Sequence, residues 1–322
     1  MKRIGVHELG GPEVMRLEEA PPLIARPGQV LVRVKAAGVN PVDTYVRAGQ
    51  YGYHPEVPYT PGADGAGIVE STGEGATHVK VGDRVYGARC LSGSYAEQAL
   101  FDALHVQPLP DSLTFSQGAS IGIPYVTAYG ALFLRAKLKR GETVLVHGAS
   151  GGVGTAALQW LRGRAARILA TAGSAEGRRL AKEQGAEVVL DHHDPGHYEE
   201  IKRLTRGRGV HVTLEMLANE NLAEDLKILA FRGRVVVIGC RGTVEIDPRQ
   251  LMCCSGAILG LRLRNVTKAE YRKIHAHLVS GLQHGTLRPI VGKEFPLAQA
   301  ADAHRAVLQS PAYGNIVLVP SP

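Results

Sequence analysis

"VLVHGASGGVGTAALQWL", residues 144–161, sets a run of apolar β-forming residues directly before five small residues and an alanine-rich apolar stretch. A strand, a glycine turn and a helix in that order make the unit whose helix N-terminus accepts a pyrophosphate. That chemistry needs bare backbone. Gly151, Gly152 and Gly154 let the chain turn sharply and let phosphate oxygens approach amide N–H groups, where the helix dipole favours negative charge. A side chain at Gly152 would stand in the phosphate's way. No Gly-Lys-Ser/Thr follows, so the loop is not the P-loop of a phosphoryl-transfer enzyme.

Working outward, apolar runs begin at 143 ("TVLVH"), 167 ("RILAT"), 187 ("EVVL"), 211 ("HVTLEM"), 234 ("RVVVIG") and 257 ("AILGL"). Between them lie "VGTAALQWLRG", "SAEGRRLAKEQG", "GHYEEIKRLTRG" and "NENLAEDLKILAFRG", each amphipathic and most stopping at Gly. This alternation predicts an α/β fold with a doubly wound parallel sheet over 124–263. Upstream the style differs. Residues 1–123 carry short β-like runs such as "VLVRVKAAGV" (30–39), "GAGIVEST" (65–72) and "GDRVYGA" (82–88), with little helical periodicity between them. They predict a compact, barrel-like β domain in which "GVNPVDTY" (38–45) is a loop. Beyond 264, one helix ("KAEYRKIHAHLVSGLQHG") and a final strand ("NIVLVP") are assigned to that first domain. The expected organisation is therefore 1–123 with 264–322 as one domain, and 124–263 inserted as the other.

Bulk properties narrow the function classes. The formal charge of the 322 residues is +7, but the basic residues are dispersed, as in "KLKR" (137–140) and "RLTRGRG" (203–209), and read as solvated faces. The N-terminus has no signal-peptide apolar core, and no run of eighteen apolar residues occurs. Four cysteines, Cys90, Cys240, Cys253 and Cys254, are too irregular for a disulfide framework. A cytoplasmic protein is expected, with Cys253 and Cys254 buried before the last strand of the sheet. "LDHHD" (190–194) with His197 has the look of a metal cluster, but its place at a strand end argues against ligation.

The second strand of the sheet reports on the dinucleotide. An NAD-specific site carries Asp or Glu there for the ribose hydroxyls. Here "RILATAG" ends in Gly173 and Ser174, with Arg178 and Arg179 a turn further on. NADP(H) is the expected cofactor, because a 2′-phosphate is tolerated and cations lie near it.

Taken together, "GGPEV" (10–14), "GVNPVDTY" (38–45), "PYTPGADGAG" (58–67), "IGIPYVTAY" (121–129), "VLVHGASGGVG" (144–154), "EMLAN" (215–219) and "RGTVEIDPR" (241–249) resemble the medium-chain dehydrogenase/reductase superfamily, and within it the zeta-crystallin-like NADPH:quinone oxidoreductases. The resemblance implies a GroES-like substrate domain around a Rossmann domain and a homotetramer. Carried over by position, it implies Tyr45 and Asn40 on the nicotinamide side, with Tyr45 also touching the cofactor. Ser150, Gly151, Gly152 and Val153 fall at the phosphates, and Gly173, His192 and Asn221 on the adenosine side. Ile238, Gly239, Cys240 and Arg241, then Leu261, Arg262 and Leu263, complete the cradle. Arg262 and Cys240 depart from the small polar residues often found there.

The zinc-dependent alcohol dehydrogenases of the superfamily place a Cys and a Gly-His-Glu at the site. This chain has Asn40 and "GADGAG" at those places and a single cysteine, Cys90, in the first domain, so no metal is expected. Without a Lewis acid, alcohol oxidation fits poorly, whereas a quinone is already a strong electron acceptor. Reduction of quinones by NADPH is the leading expectation, with ortho-quinones favoured and electrons passing singly as the resemblance implies. Reduction of an enone or enoyl thioester, with Tyr45 as proton donor to carbon, is the alternative. A third expectation, of a different class, is an RNA-binding or structural crystallin-type protein. Aromatic residues are 5% of the chain, too few for base-stacking platforms.

Overall fold

A computed structural model describes residues 1–164, 167–309 and 313–320. The chain divides into two compact units. One contains Met1–Ile123, Lys268–Gln309 and the described end of the chain from Gly314, and the other contains Pro124–Thr267.

The first unit is built on strands. β1 (Lys2–Val6) and β2 (Met15–Glu19) form an antiparallel hairpin. β3 (Gln29–Val39), β4 (Asp64–Thr72), β5 (Arg84–Gly87), β6 (Gln98–Asp102) and β7 (Val106–Pro108) pair antiparallel in a larger sheet. Alternating burial along β3 and β4 turns Val30, Val32, Val34 and Val69 into one core with Tyr95, Phe101 and Leu318. Each such side chain contributes roughly 1.5–3 kcal/mol on burial.

Two short helices lie within this unit where strands and loops are expected from sequence. "GVNPVDTY" is not a loop: α1 (Pro41–Ala48) starts at its proline. Pro41 is pre-set for a first helical position, and the Asp43 carboxylate takes the Asn40 backbone N–H at 2.8 Å. α2 (Phe115–Ala119) is capped by Thr114 and Gln117 in the same way. These signals sit in four or five residues, too few for periodicity to register. α3 (Gly122–Tyr129) follows.

The second unit is a six-stranded parallel sheet of β8 (Thr143–Val146), β9 (Arg167–Thr171), β10 (Val188–Leu190), β11 (Val210–Glu215), β12 (Leu229–Val237) and β13 (Ala257–Gly260). Their order in space is β10-β9-β8-β11-β12-β13. The direction of winding reverses between β8 and β11, which is where such sheets bind ligands. Helices α4 (Gly152–Leu161), α5 (Ala175–Glu183), α6 (His197–Leu204) and α7 (Ala218–Lys227) connect the strands, and α8 (Pro248–Cys254) precedes β13.

The sequence expectation of one long helix through "NENLAEDLKILAFRG" needs correction. α7 ends at Lys227 and β12 begins at Leu229, because Leu229 pairs with Val210 ahead of a bulge. Cys253 is exposed on α8, not buried as expected. Trp160 is buried on α4, as its packing role requires.

The chain then forms α9 (Lys268–Gln283), β14 (Val291–Pro296), α10 (Ala300–Leu308) and β15 (Asn315–Val319). β15 pairs with β3, so the terminal strand completes the first sheet. Among the described residues no helix is long and apolar enough to cross a membrane.

Candidate dinucleotide and substrate sites

Six parallel strands point one way, so their C-terminal ends form a single rim. Ser150, Gly151, Gly152 and Val153 follow β8, Gly173 follows β9, His192 follows β10, and Asn221 lies on α7 after β11. Ile238–Arg241 follow β12, and Leu261–Leu263 follow β13. All of the residues expected at the phosphates, the adenosine side and the rest of the cradle therefore lie along that rim or just after it, while Tyr45 lies on α1 of the other unit.

Local geometry explains the glycines. α4 starts at Gly152 with Gly151 as its cap, and no side chain caps it, which leaves its positive end to a ligand. A Cβ at Gly154 would lie 2.4 Å from the Gly148 carbonyl oxygen and 2.5 Å from Ala149 Cα, so helix and loop are in backbone contact. A Cβ at Gly173 would meet the ring nitrogens of His192 and His193 at 2.6 and 2.7 Å. The β9 and β10 ends are thus packed together. Burial and the neighbouring His193 hold His192 below the usual imidazole range, which favours its neutral ring.

The cations near Gly173 are already engaged. Arg178 donates to Asp191 Oδ2 at 2.6 Å, and Arg179 lies 3.9 Å from Glu183 at an exposed position. A 2′-phosphate there would share Arg178 with Asp191. The β12 end is knit to the β11–α7 turn: Ile238 N–H donates to Glu215 O, Ala218 N–H to Gly239 O, and Arg241 N–H to Asn219 Oδ1. Cys240 Sγ lies 3.0 Å from Gly242 O. Leu261 N–H donates to Val237 O, and Arg262 begins a short 3-10 turn that includes Leu263.

In the first unit, Asn40 is buried at the start of α1, and its Nδ2 donates to Asp64 Oδ2 at 3.0 Å. That oxygen also accepts the Ile123 N–H at 2.9 Å. Burial pushes Asp64 up to about 8, so Asn40 rests against a carboxyl that keeps its proton at neutral pH. Tyr45 lies half-buried one turn further on, with its ring edge-on to Tyr51 at 5.0 Å.

Beneath Asn40 runs a buried relay that sequence reasoning missed. Arg47 donates to His304 Nδ1 (3.1 Å), His304 Nε2 meets the Tyr95 hydroxyl (3.1 Å), and that hydroxyl donates to Asp43 Oδ2 (3.2 Å). Its members are up to 261 positions apart, with only the capping pattern at 40–43 as a local signal.

Burial pushes the Cys90 thiol up to about 12, and it donates to Leu100 O. "LDHHD" forms no ion-binding set among the described residues. The one group there with ligating atoms close enough for an ion is His147, Glu215 and Asp225.

Two family descriptions match the chain: "Alcohol dehydrogenase GroES-like domain" over residues 26–111 and "Zinc-binding dehydrogenase" over 152–280. Together with the two units they define a medium-chain dehydrogenase/reductase. The word zinc does not carry over to the residues, because Asn40 and Ala63-Asp64 stand where Cys and His-Glu would ligate. The quinone oxidoreductase of Rattus norvegicus is 46% identical over 99% of this chain and 98% of its own. The NADPH complex of the Escherichia coli quinone oxidoreductase superposes with a TM-score of 0.90 at 30% identity, over 99% of this chain and 100% of the other. A mycobacterial protein complexed with NADPH gives 0.91 at 33%, with the same coverage. The chain belongs to the quinone oxidoreductase family within that class.

Proposed function

We infer that this protein reduces quinones with NADPH. The observation that carries the reading is the complete rim of strand ends around an uncapped α4, in a chain aligned end to end with quinone oxidoreductases. The residues present fit the cofactor: the glycine loop takes the pyrophosphate, the bare Gly173 and neutral His192 take the adenosine side, and Arg178 is the cation for a 2′-phosphate. When bound, NADPH would supply two electrons, one to each of two quinone molecules, leaving NADP⁺ and releasing one proton to solvent.

Asn40 and Tyr45 are assigned to the substrate. Asp64 occupies one hydrogen of the Asn40 amide and fixes its plane, so the second is the proposed donor to the quinone oxygen as negative charge develops. Tyr45 is the second donor and packs against the nicotinamide. Ortho-quinones are the proposed acceptors, with electrons passing singly.

Steady-state NADPH oxidation with ortho-quinones, para-quinones and enones, repeated with NADH, tests this. Ortho-quinones should be fastest, and NADPH should be preferred over NADH. Tyr45→Phe should lose no more than about tenfold in quinone reduction, whereas delivery of a proton to carbon by Tyr45 would make the loss for enones roughly 100-fold or more. Turnover of enones without ortho-quinones would sink the reading.

A cytoplasmic homotetramer belongs to the same proposal. Among the described residues β13 pairs on one side only, and Phe231 and Met252 expose apolar side chains on the same unit. Sedimentation as a monomer at micromolar concentration would remove the oligomer from it. The basic balance alone carries no RNA proposal.

A further inference from the structure

Three ionisable side chains are enclosed beneath the glycine loop. His147, the residue after β8, is 3% exposed, while Glu215 at the end of β11 and Asp225 on α7 are both 0% exposed. His147 Nε2 lies 2.8 Å from Asp225 Oδ1 and 3.7 Å from Glu215 Oε2, and its Nδ1 lies 3.1 Å from Thr171 Oγ1 at the end of β9. Tyr198 on α6 reaches Asp225 Oδ1 at 3.4 Å. Glu215 Oε1 accepts the Leu217 N–H, and it accepts Asn221 Nδ2 at 3.1 Å.

Two oxygens are left over. Glu215 Oε2 and Asp225 Oδ2 are buried with no hydrogen-bond partner, and one ligating atom from each of the three groups falls within a 4.8 Å span. Two bare carboxylates cannot satisfy each other, because both accept only. With the imidazole protonated and both acids ionised, the enclosure would also carry an unbalanced negative charge, which is costly. One proton on a carboxyl removes both faults: an acceptor becomes a donor, and the cluster becomes neutral. A bound metal ion is the weaker account, since 2.8 Å between His147 and Asp225 is a hydrogen-bond length and burial leaves no path for an ion.

Burial raises Glu215 above the ordinary carboxylate range, and Asp225 and Glu215 overcome the burial of His147 to raise the imidazole, so His147 keeps its proton at neutral pH and Glu215 holds one to higher pH than an ordinary carboxyl. The cluster then joins four pieces of the rim: the β8 end where the glycine loop starts, the β9 end, the β11 end and α7. It also settles how Asn221 stands. With its Nδ2 committed inward to Glu215, the amide has its Oδ1 to offer outward.

We propose that Glu215, His147 and Asp225 are positioning residues for the dinucleotide, sharing a retained proton that locks the start of the glycine loop to α7 and turns Asn221 into a hydrogen-bond acceptor for a hydroxyl or amino group of the cofactor. The proposal rests on the NADPH reading above. It assigns no chemical step to the cluster, only the geometry of the rim and the polarity of Asn221.

NADPH fluorescence titration of the full-length protein, with steady-state kinetics alongside, tests it. Glu215→Gln keeps an oxygen for Leu217 and Asn221 and a donor for Asp225, so it should bind NADPH within about threefold of wild type. Glu215→Leu leaves Asn221 unanchored and should weaken binding at least tenfold, with the loss falling in KM more than in kcat. Asn221→Ala should weaken it at least fivefold, and Glu215→Leu with Asn221→Ala should bind no worse than Glu215→Leu alone. Losses that multiply, or wild-type affinity in Asn221→Ala, would overturn the proposal. Asn221→Ala leaves the buried charges intact, so its result decides even where Glu215→Leu does not fold. A wild-type protein that fails to bind NADPH would instead overturn the function reading.

Discussion

Gly154→Ala is expected to raise the KM for NADPH about 100-fold, although it adds only one methyl group. The added Cβ would lie 2.4 Å from Gly148 O, 2.5 Å from Ala149 Cα and 2.8 Å from Ala149 C. All three are backbone atoms, so no side chain can rotate out of the way. Ordinary contact requires about 3.5 Å, and the helix must therefore retreat from the loop by roughly 1 Å. That retreat pulls on the Gly151 N–H to Gly148 O bond (3.1 Å) and the Ala149 N–H to Thr171 O bond (2.9 Å), which shape the turn.

A misplacement of 1 Å in a binding group costs on the order of 100-fold, and overpacking costs about 1–3 kcal/mol of stability. The two effects separate by comparison with Gly260→Ala. A Cβ at Gly260 meets nothing within 4 Å, so that variant should match wild type in thermal midpoint and in KM. NADPH kinetics and thermal melts on both proteins give the answer. A wild-type KM in Gly154→Ala would show that the contact between helix and loop does not shape the phosphate site.

Why the rim was readable and the buried networks were not follows from what each depends on. The glycine loop is written in consecutive residues: bare backbone at Gly151, Gly152 and Gly154 is a local requirement, and six apolar runs at regular spacing give the sheet that orients it. A strand end follows from its strand, so Gly173 could be read at the end of "RILATAG", whereas His192 and Ile238–Arg241 were placed by the family resemblance. The misreadings are short elements. α1 is eight residues and α2 five, each set by a proline or a cap, and α7 yields to β12 because Leu229 finds Val210 across the sheet. The buried polar groups needed tertiary structure altogether. Nothing near position 64 says that its carboxyl meets Asn40, and nothing near 147 says that its imidazole meets Asp225. Among apolar neighbours such residues read as ordinary polar positions until burial shows that each must have a partner.

Those buried groups set the expected response to pH: the protein should lose several kcal/mol of stability between pH 6.5 and 9. Asp43 and Asp64 are raised to about 7 and about 8 by burial. His147 is raised to about 9, where burial opposes the proton but Asp225 and Glu215 hold it more strongly. A group raised in the folded state stabilises fully below its unfolded value and loses that contribution as pH rises through its folded value. The unfolded values are near 3.9 for Asp and 6.5 for His, so above pH 6.5 the folded chain holds protons that the unfolded chain has released. Each such proton costs about 1.4 kcal/mol per pH unit.

On the acid side the balance differs. Burial lowers His105 and His275 to about 4 and His304 to about 3, and their contribution is lost as pH falls below 6.5. Over that range the raised carboxyls act in the opposite direction and offset much of the loss, until the unfolded carboxyls also take up protons near pH 4. Stability should therefore be broad between about pH 4 and 6.5 and fall toward pH 9. Urea unfolding across this range measures it. Asp64→Asn carries the protonated form's hydrogen-bonding pattern without a titrating proton, so relative to wild type it should gain about 2 kcal/mol between pH 6.5 and 8. A constant difference between the two proteins over that interval would mean that Asp64 is ionised in the fold, and that Asn40 is held by a charge instead of by a neutral acid.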